Sequence, residues 1–92
     1  MADKRLLFRV HAIERMAQRA IHVEDVRHVL DTGEVIEDYP EDFPYPSALV
    51  LGWVENRPLH VVTADSLETR IIITVYEPDP ARWQPDFRKR KP

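Results

Sequence analysis

Residues 11–39 read HAIERMAQRAIHVEDVRHVLDTGEVIEDY, and this stretch decides the fold. Its first part, residues 11–20, lacks Gly and Pro and is built of good helix formers, which predicts a helix. Ile13, Met16, Ala17 and Ala20 recur at helical spacing as an apolar stripe, while His11, Arg15 and Arg19 recur every fourth residue as a cationic row on another side. A second helix is expected over 23–32, with Glu24 and Asp25 in its first turn, where the helix dipole favours acids. Val26, Val29 and Leu30 supply its buried side, and Gly33 is placed to end it in a left-handed conformation. Only Ile21 and His22 separate the helices, so they form a tight hairpin. Glu34 to Tyr39 then changes register to a short strand.

Working outward, Pro40, Pro44 and Pro46 exclude a helix or a central strand in the next segment. SALVLGWVE (47–55) reads as a strand with Gly52 as a bulge, followed by a tight turn at Asn56-Arg57. LHVVTA (59–64) is β-branched, and RIIITVY (70–76) is the strongest strand pattern of the chain. The order α-α-β-β-β-β predicts an α+β domain: two N-terminal helices packed on one face of a four-stranded antiparallel sheet. Residues 1–80 are assigned to this single domain. Residues 81–92 are assigned to a basic tail anchored by Trp83 and Phe87, with Arg88 to Lys91 mobile at its end.

At 92 residues the chain suits one domain. It has no cysteine, which excludes thiolate ligands and nucleophiles and fits a reducing compartment. No apolar run is long enough to span a membrane, and MADKRLLFRV is too short in apolar residues for a signal peptide, so a cytoplasmic protein is expected. The formal charge of −3 gives no argument for nucleic acid by itself. Its distribution says more: residues 31–56 hold seven acids and no Lys or Arg, whereas 1–30 hold six bases against four acids and 57–92 seven against five. Folding can bring the two basic ends together.

No phosphate-binding glycine loop, nucleophile elbow or metal-ligand spacing is present, and the four histidines lack the spacing of a zinc site. What remains is His, Arg and Tyr, the residue types of metal-independent RNA cleavage. A base takes the 2′-hydroxyl proton, an acid protonates the leaving 5′-oxygen, and cations hold the phosphate. Period-2 alternation puts Arg70, Ile72, Thr74 and Tyr76 on one face, with Ile71, Ile73 and Val75 toward the helices. His60 shares a face with Val62 and Ala64 and, depending on register, meets Arg70, Thr74 or Tyr76 across the strands. If the site lies on the face away from the helices, Arg15 and Arg19 stand far from Arg70 and Tyr76. Each residue also has a plain structural reading. The His11/Arg15/Arg19 row is then a solvated helix face, His60 a satisfied core or edge histidine, Tyr76, Trp53 and Trp83 packing residues, and the acidic loop an edge protector.

The motifs HAIERMAQRAI, GEVIEDYPED, PYPSALVLGW, NRPLHVV, ITVYEPDPARW and DFRKR, spread from His11 to Arg90, resemble a bacterial and archaeal domain-of-unknown-function family, number 4258 of that series. Ala20 departs from the glycine usual before the Ile, and His22 from the usual Ser or Thr. The family is similar in layout to the RelE, ParE and BrnT-like toxins. The resemblance implies a toxin-like endoribonuclease that needs no metal or other cofactor, with an antitoxin encoded nearby. His11, Arg15 and Arg19 match the helix motif, Arg57 and His60 the RPLHVV motif, and Tyr76 the VYEP motif.

The catalytic candidates are accordingly His11 or His60 as base or acid, with Tyr76 in support. Arg15, Arg19, Arg57, Arg70, Arg88 and Arg90 are the RNA-binding candidates, and the expected partners are RNA, an antitoxin-like protein and a second copy of the chain. The alternative is a non-catalytic interaction domain that binds an antitoxin-like partner through a sheet edge or the proline loop. DNA binding by the helix pair ranks third, because the second helix offers only Arg27 and His28 to a duplex.

Overall fold

The computed structural model describes residues 4–92. The chain runs β1 (Arg5–Phe8), α1 (Val10–Arg19), α2 (Val23–Thr32), β2 (Glu34–Tyr39), β3 (Ser47–Val54), β4 (Arg57–Asp65) and β5 (Thr69–Tyr76). The strands form one five-stranded sheet in the order β1-β5-β4-β3-β2. β2 to β5 pair antiparallel, but β1 joins the far edge parallel to β5, with Leu7 opposite Ile71. The expected four-stranded antiparallel sheet with the helices first is therefore corrected to a five-stranded mixed sheet whose first element is a strand. The missed strand is four residues long and lies next to Arg9, so it carries almost no periodic signal.

α1 and α2 pack on one face of this sheet. Ala12, Met16, Ile21, Val26 and Val29 meet Val50, Leu59, Val61, Ile72 and Val75, and Leu6 and Phe8 of β1 pack against the same cluster. Each fully buried aliphatic side chain of this kind contributes about 1.5–3 kcal/mol. The buried stripe of α1 is Ala12 and Met16; Ile13, Ala17 and Ala20 of the expected stripe are exposed. Gly33 does not take the left-handed conformation, which falls instead to Ala20 at the end of α1, at φ 54°. Gly33 is needed for space: a Cβ there would collide with the carbonyl oxygen of Leu51 and stand 2.5 Å from that of Val29. Gly52 is no bulge either, since it pairs with Leu59 in an unbroken β3–β4 register; a Cβ there would come within 2.9 Å of Val29, so its bare backbone lets α2 sit close on β3. His22 opens α2 with its backbone N–H donating to the Asp25 carboxylate at 2.9 Å, the bond that the N3 acid makes in a capping box.

Bulges reassign the faces. The β4–β5 pairing steps from Val62↔Thr74 to Thr63↔Ile72, leaving Ile73 as an extra residue. Val75 therefore faces the helices as expected, but Ile72 joins it in place of Ile71 and Ile73. In β2 the pairing steps from Val35 to Glu37, which puts Glu34, Glu37 and Tyr39 on the face away from the helices.

The C-terminal segment covers that second face. Trp83 bridges to Arg90, Gln84 N–H donates to the Lys89 carbonyl, and Lys91 N–H donates to the Arg82 carbonyl, which closes a small hairpin. Trp83 is buried, and Trp53 meets Phe87 edge to face. The run Arg88 to Lys91, expected to be mobile, is held: Arg88 pairs with Glu34 at 2.7 Å and Arg90 with Glu37 at 2.9 Å.

Candidate functional site

The alternation Leu59, His60, Val61 in β4 puts His60 on the face opposite α1 and α2. The register sets it directly beside Tyr76 of β5 and Leu51 of β3. Its ring is wholly buried. Nε2 lies 2.9 Å from the carbonyl oxygen of Phe87, and Nδ1 lies 3.2 Å from the Tyr76 hydroxyl. A carbonyl only accepts, so Nε2 carries the proton, and Nδ1 of the neutral ring accepts from Tyr76. Trp83 caps the imidazole edge to face at 4.4 Å between ring centres.

A charged cluster adjoins this pair. Arg90 donates to both carboxylate oxygens of Glu37, at 2.9 and 3.2 Å, and lies 4.7 Å over the Trp83 ring. Tyr39 donates its hydroxyl to the same carboxylate. The Arg90 bond holds the Glu37 carboxyl below its ordinary range. Burial pushes the His60 pKa down and the Tyr76 pKa up, so the ring is held neutral and the phenol protonated. A neutral imidazole beside a protonated phenol pairs a proton acceptor with a proton donor, and the Arg90 guanidinium next to them is held by Glu37. All are roofed by the C-terminal segment.

The other predicted residues are dispersed. His11, Arg15 and Arg19 are exposed on α1, on the helical side of the sheet, and His11 stands 3.9 Å from Glu14. Arg57 belongs to β4 rather than to a turn. It donates to the carbonyls of Arg19 and Ala20, the latter at 3.1 Å, and pairs with Glu77 at 2.9 Å. It holds the end of α1 and is not free for phosphate. Arg70 donates to Asp65 at 3.0 Å on the helical side, so it does not share a face with Tyr76. Arg88 is engaged with Glu34. Thus, of the predicted set, His60, Tyr76 and Arg90 come together.

Sequence reasoning missed Glu37, Tyr39 and Trp83 as members of this cluster. The acids from Glu37 to Asp42 read as a solvated or edge-protecting feature, and the three-residue spacing of Glu34 and Glu37 breaks strand alternation unless the bulge is known. The cation-rich end beyond Trp83 was the one available signal that those acids have partners.

Among the described residues no three His, Asp or Glu side chains converge as a metal site, and no helix is long and apolar enough to cross a membrane. Residues 8–77 match the model of a family described as Domain of unknown function (DUF4258), and the chain belongs to that family. Neither a curated protein nor a solved structure matches it.

Proposed function

We propose that this DUF4258 member acts on RNA as a toxin-like, metal-independent endoribonuclease, with His60 and Tyr76 as its chemical pair. The observation that carries the reading is the juxtaposition on one sheet face of His60 Nδ1 with the Tyr76 hydroxyl 3.2 Å away, beside the separately bonded Arg90–Glu37 pair. Its roof holds Arg82, Arg88, Lys89, Arg90 and Lys91 together with Phe87, which meets the exposed Trp53, and cations interleaved with aromatic rings suit a single strand. In the reaction, neutral His60 takes the proton of a ribose 2′-hydroxyl. That oxygen attacks the adjacent phosphorus while the bond to the 5′-oxygen breaks. Tyr76 protonates the leaving oxygen, and a 2′,3′-cyclic phosphate remains. The lone pair of His60 is on Nδ1, under the Tyr76 hydroxyl, so that hydroxyl must turn from Nδ1 to the leaving oxygen and the C-terminal segment over the ring must withdraw before the ring meets substrate. The same reading implies a cytoplasmic site of action and, as partners, an antitoxin-like protein and a second copy of the chain.

The test is single-stranded RNA incubated in EDTA with wild type, Tyr76→Phe, and Glu34→Ala, which frees Arg88. Cleavage that falls about 100-fold in Tyr76→Phe and rises in Glu34→Ala supports the reading. Intact RNA with every folded variant overturns it.

A second reading has its own observation. Full burial of His60, with both ring nitrogens bonded inside the fold, is what a structural histidine looks like. On that reading the domain is non-catalytic and binds an antitoxin-like protein, and co-purification of such a partner while RNA stays intact would favour it.

A further inference from the structure

The helical side of the sheet is not covered along its whole length. Beyond the C-terminal end of α2 the strands leave a hollow of about 330 Å³, within the size range of small-molecule sites. Its origin is legible in the register. Asp38, Ala48 and Thr63 stand side by side on β2, β3 and β4, and the small Ala48 side chain leaves a depression between its neighbours. Leu30, Val35 and Val50 make the apolar wall, and Val35 is exposed without a covering group.

Ser47 and Asp65 of this hollow are engaged with Asp42 and with Arg70 and Lys4, but three other polar groups keep bonding capacity. The Thr63 hydroxyl is buried and has no hydrogen-bond partner, in a residue only 8% exposed, and a buried hydroxyl without a partner is costly. Arg70 uses its Nε on Asp65, and its two terminal nitrogens bond to no other described residue. Asp38 is exposed and, among the described residues, has no ion-pair partner. Asp38 and Arg70 stand three strand spacings apart and two residues out of row, about 16 Å between backbones, and they line the hollow at opposite ends. An anion-only ligand such as a nucleotide is disfavoured, since Asp38 and Asp65 both line the hollow.

We propose that this hollow binds a small aliphatic zwitterion with the chemistry of a free branched α-amino acid. Its carboxylate lies on the Arg70 guanidinium and accepts from the Thr63 hydroxyl. Its ammonium lies on Asp38, and its side chain packs on Leu30, Val35 and Val50. The site is on the opposite face from His60 and does not depend on the RNA reading.

The probe is L-leucine, titrated into the full chain while amide resonances are followed by NMR. Saturable shifts centred on Ala48, Val50 and Thr63 are expected. Binding should weaken about tenfold or more in Arg70→Gln and in Asp38→Asn. Thr63→Val keeps the shape, removes the orphan hydroxyl and should weaken binding severalfold without loss of the fold. N-acetyl-leucine and leucinamide, each lacking one charge, should bind more weakly than leucine. Absence of saturable shifts up to about 10 mM overturns the proposal. So does equal binding of all three compounds, which would reduce the hollow to an apolar depression with water on Thr63.

Discussion

Arg57, the first residue of β4, donates to the carbonyl oxygen of Ala20 at 3.1 Å, thirty-seven residues earlier in the chain. It also donates to the Arg19 carbonyl and pairs with Glu77 at the end of β5. One guanidinium thus satisfies carbonyls that α1 leaves open at its C-terminus and ties that end to two strands. Arg57→Ala should cost about 1–2 kcal/mol, read as a lower urea midpoint. Arg57→Lys should recover only part of it, because an ammonium cannot reproduce the fork. An unchanged midpoint would return Arg57 to the surface, free for a ligand.

Ala20 itself carries strain that glycine would relieve. Its φ of 54° is left-handed, a region that costs a residue with a Cβ roughly 1–2 kcal/mol. Ala20→Gly should therefore raise stability, by about 0.5–1 kcal/mol after the added freedom of the unfolded chain is subtracted. A lower melting temperature for Ala20→Gly would mean that the Ala20 methyl makes contacts worth more than the strain.

Both helices and the four later strands were legible because each carries a helical period or a strand-forming run: Val26 and Val29 in α2, the β-branched LHVVTA (59–64) in β4. β1 was not, since four residues beside an arginine show no period, and its parallel partner lies more than sixty residues away. Nor were the bulges at Ile36 and Ile73 legible. Each shifts alternation by one residue, so Ile72 could not be placed toward the helices nor Glu37 beside His60. The His60–Tyr76 pairing was among the options that period 2 allows, and register selected it. The roof over His60 was illegible, because Phe87 contributes a backbone carbonyl, a group every residue has.

The two glycines should rank by what surrounds them. A Cβ at Gly33 meets backbone carbonyl oxygens of Leu51 and Val29, which cannot turn aside. A Cβ at Gly52 meets Val29, whose side-chain methyls have some freedom although its Cα does not. Gly33→Ala should cost about 3 kcal/mol and Gly52→Ala about 2 kcal/mol, compared by urea unfolding. Equal or reversed costs would show that α2 shifts on the sheet more easily than its end can open.

The buried imidazole makes stability depend on pH in a definite direction. Burial lowers the His60 pKa in the folded chain below its ordinary value of 6.5. Well above 6.5 the ring is neutral in both states and contributes no slope. As the pH falls through 6.5 the unfolded chain takes up a proton that the folded chain refuses, so stability falls until the folded pKa is passed. Glu37 adds a separate loss at lower pH. Its folded pKa lies below 4.5, held there first by Arg90, so its contribution is present above 4.5 and disappears as the pH falls through the folded value. Urea midpoints should therefore decline between about pH 7 and pH 5 in wild type. In His60→Gln, which keeps an N–H donor for Phe87 but does not titrate, the decline over that window should be smaller, while the steeper loss at lower pH persists. Arg90→Ala should do the reverse, reducing the low-pH loss and leaving the upper window. If wild type and His60→Gln decline in parallel between pH 7 and pH 5, the ring takes up its proton as readily folded as unfolded. The C-terminal segment would then not seal it from water.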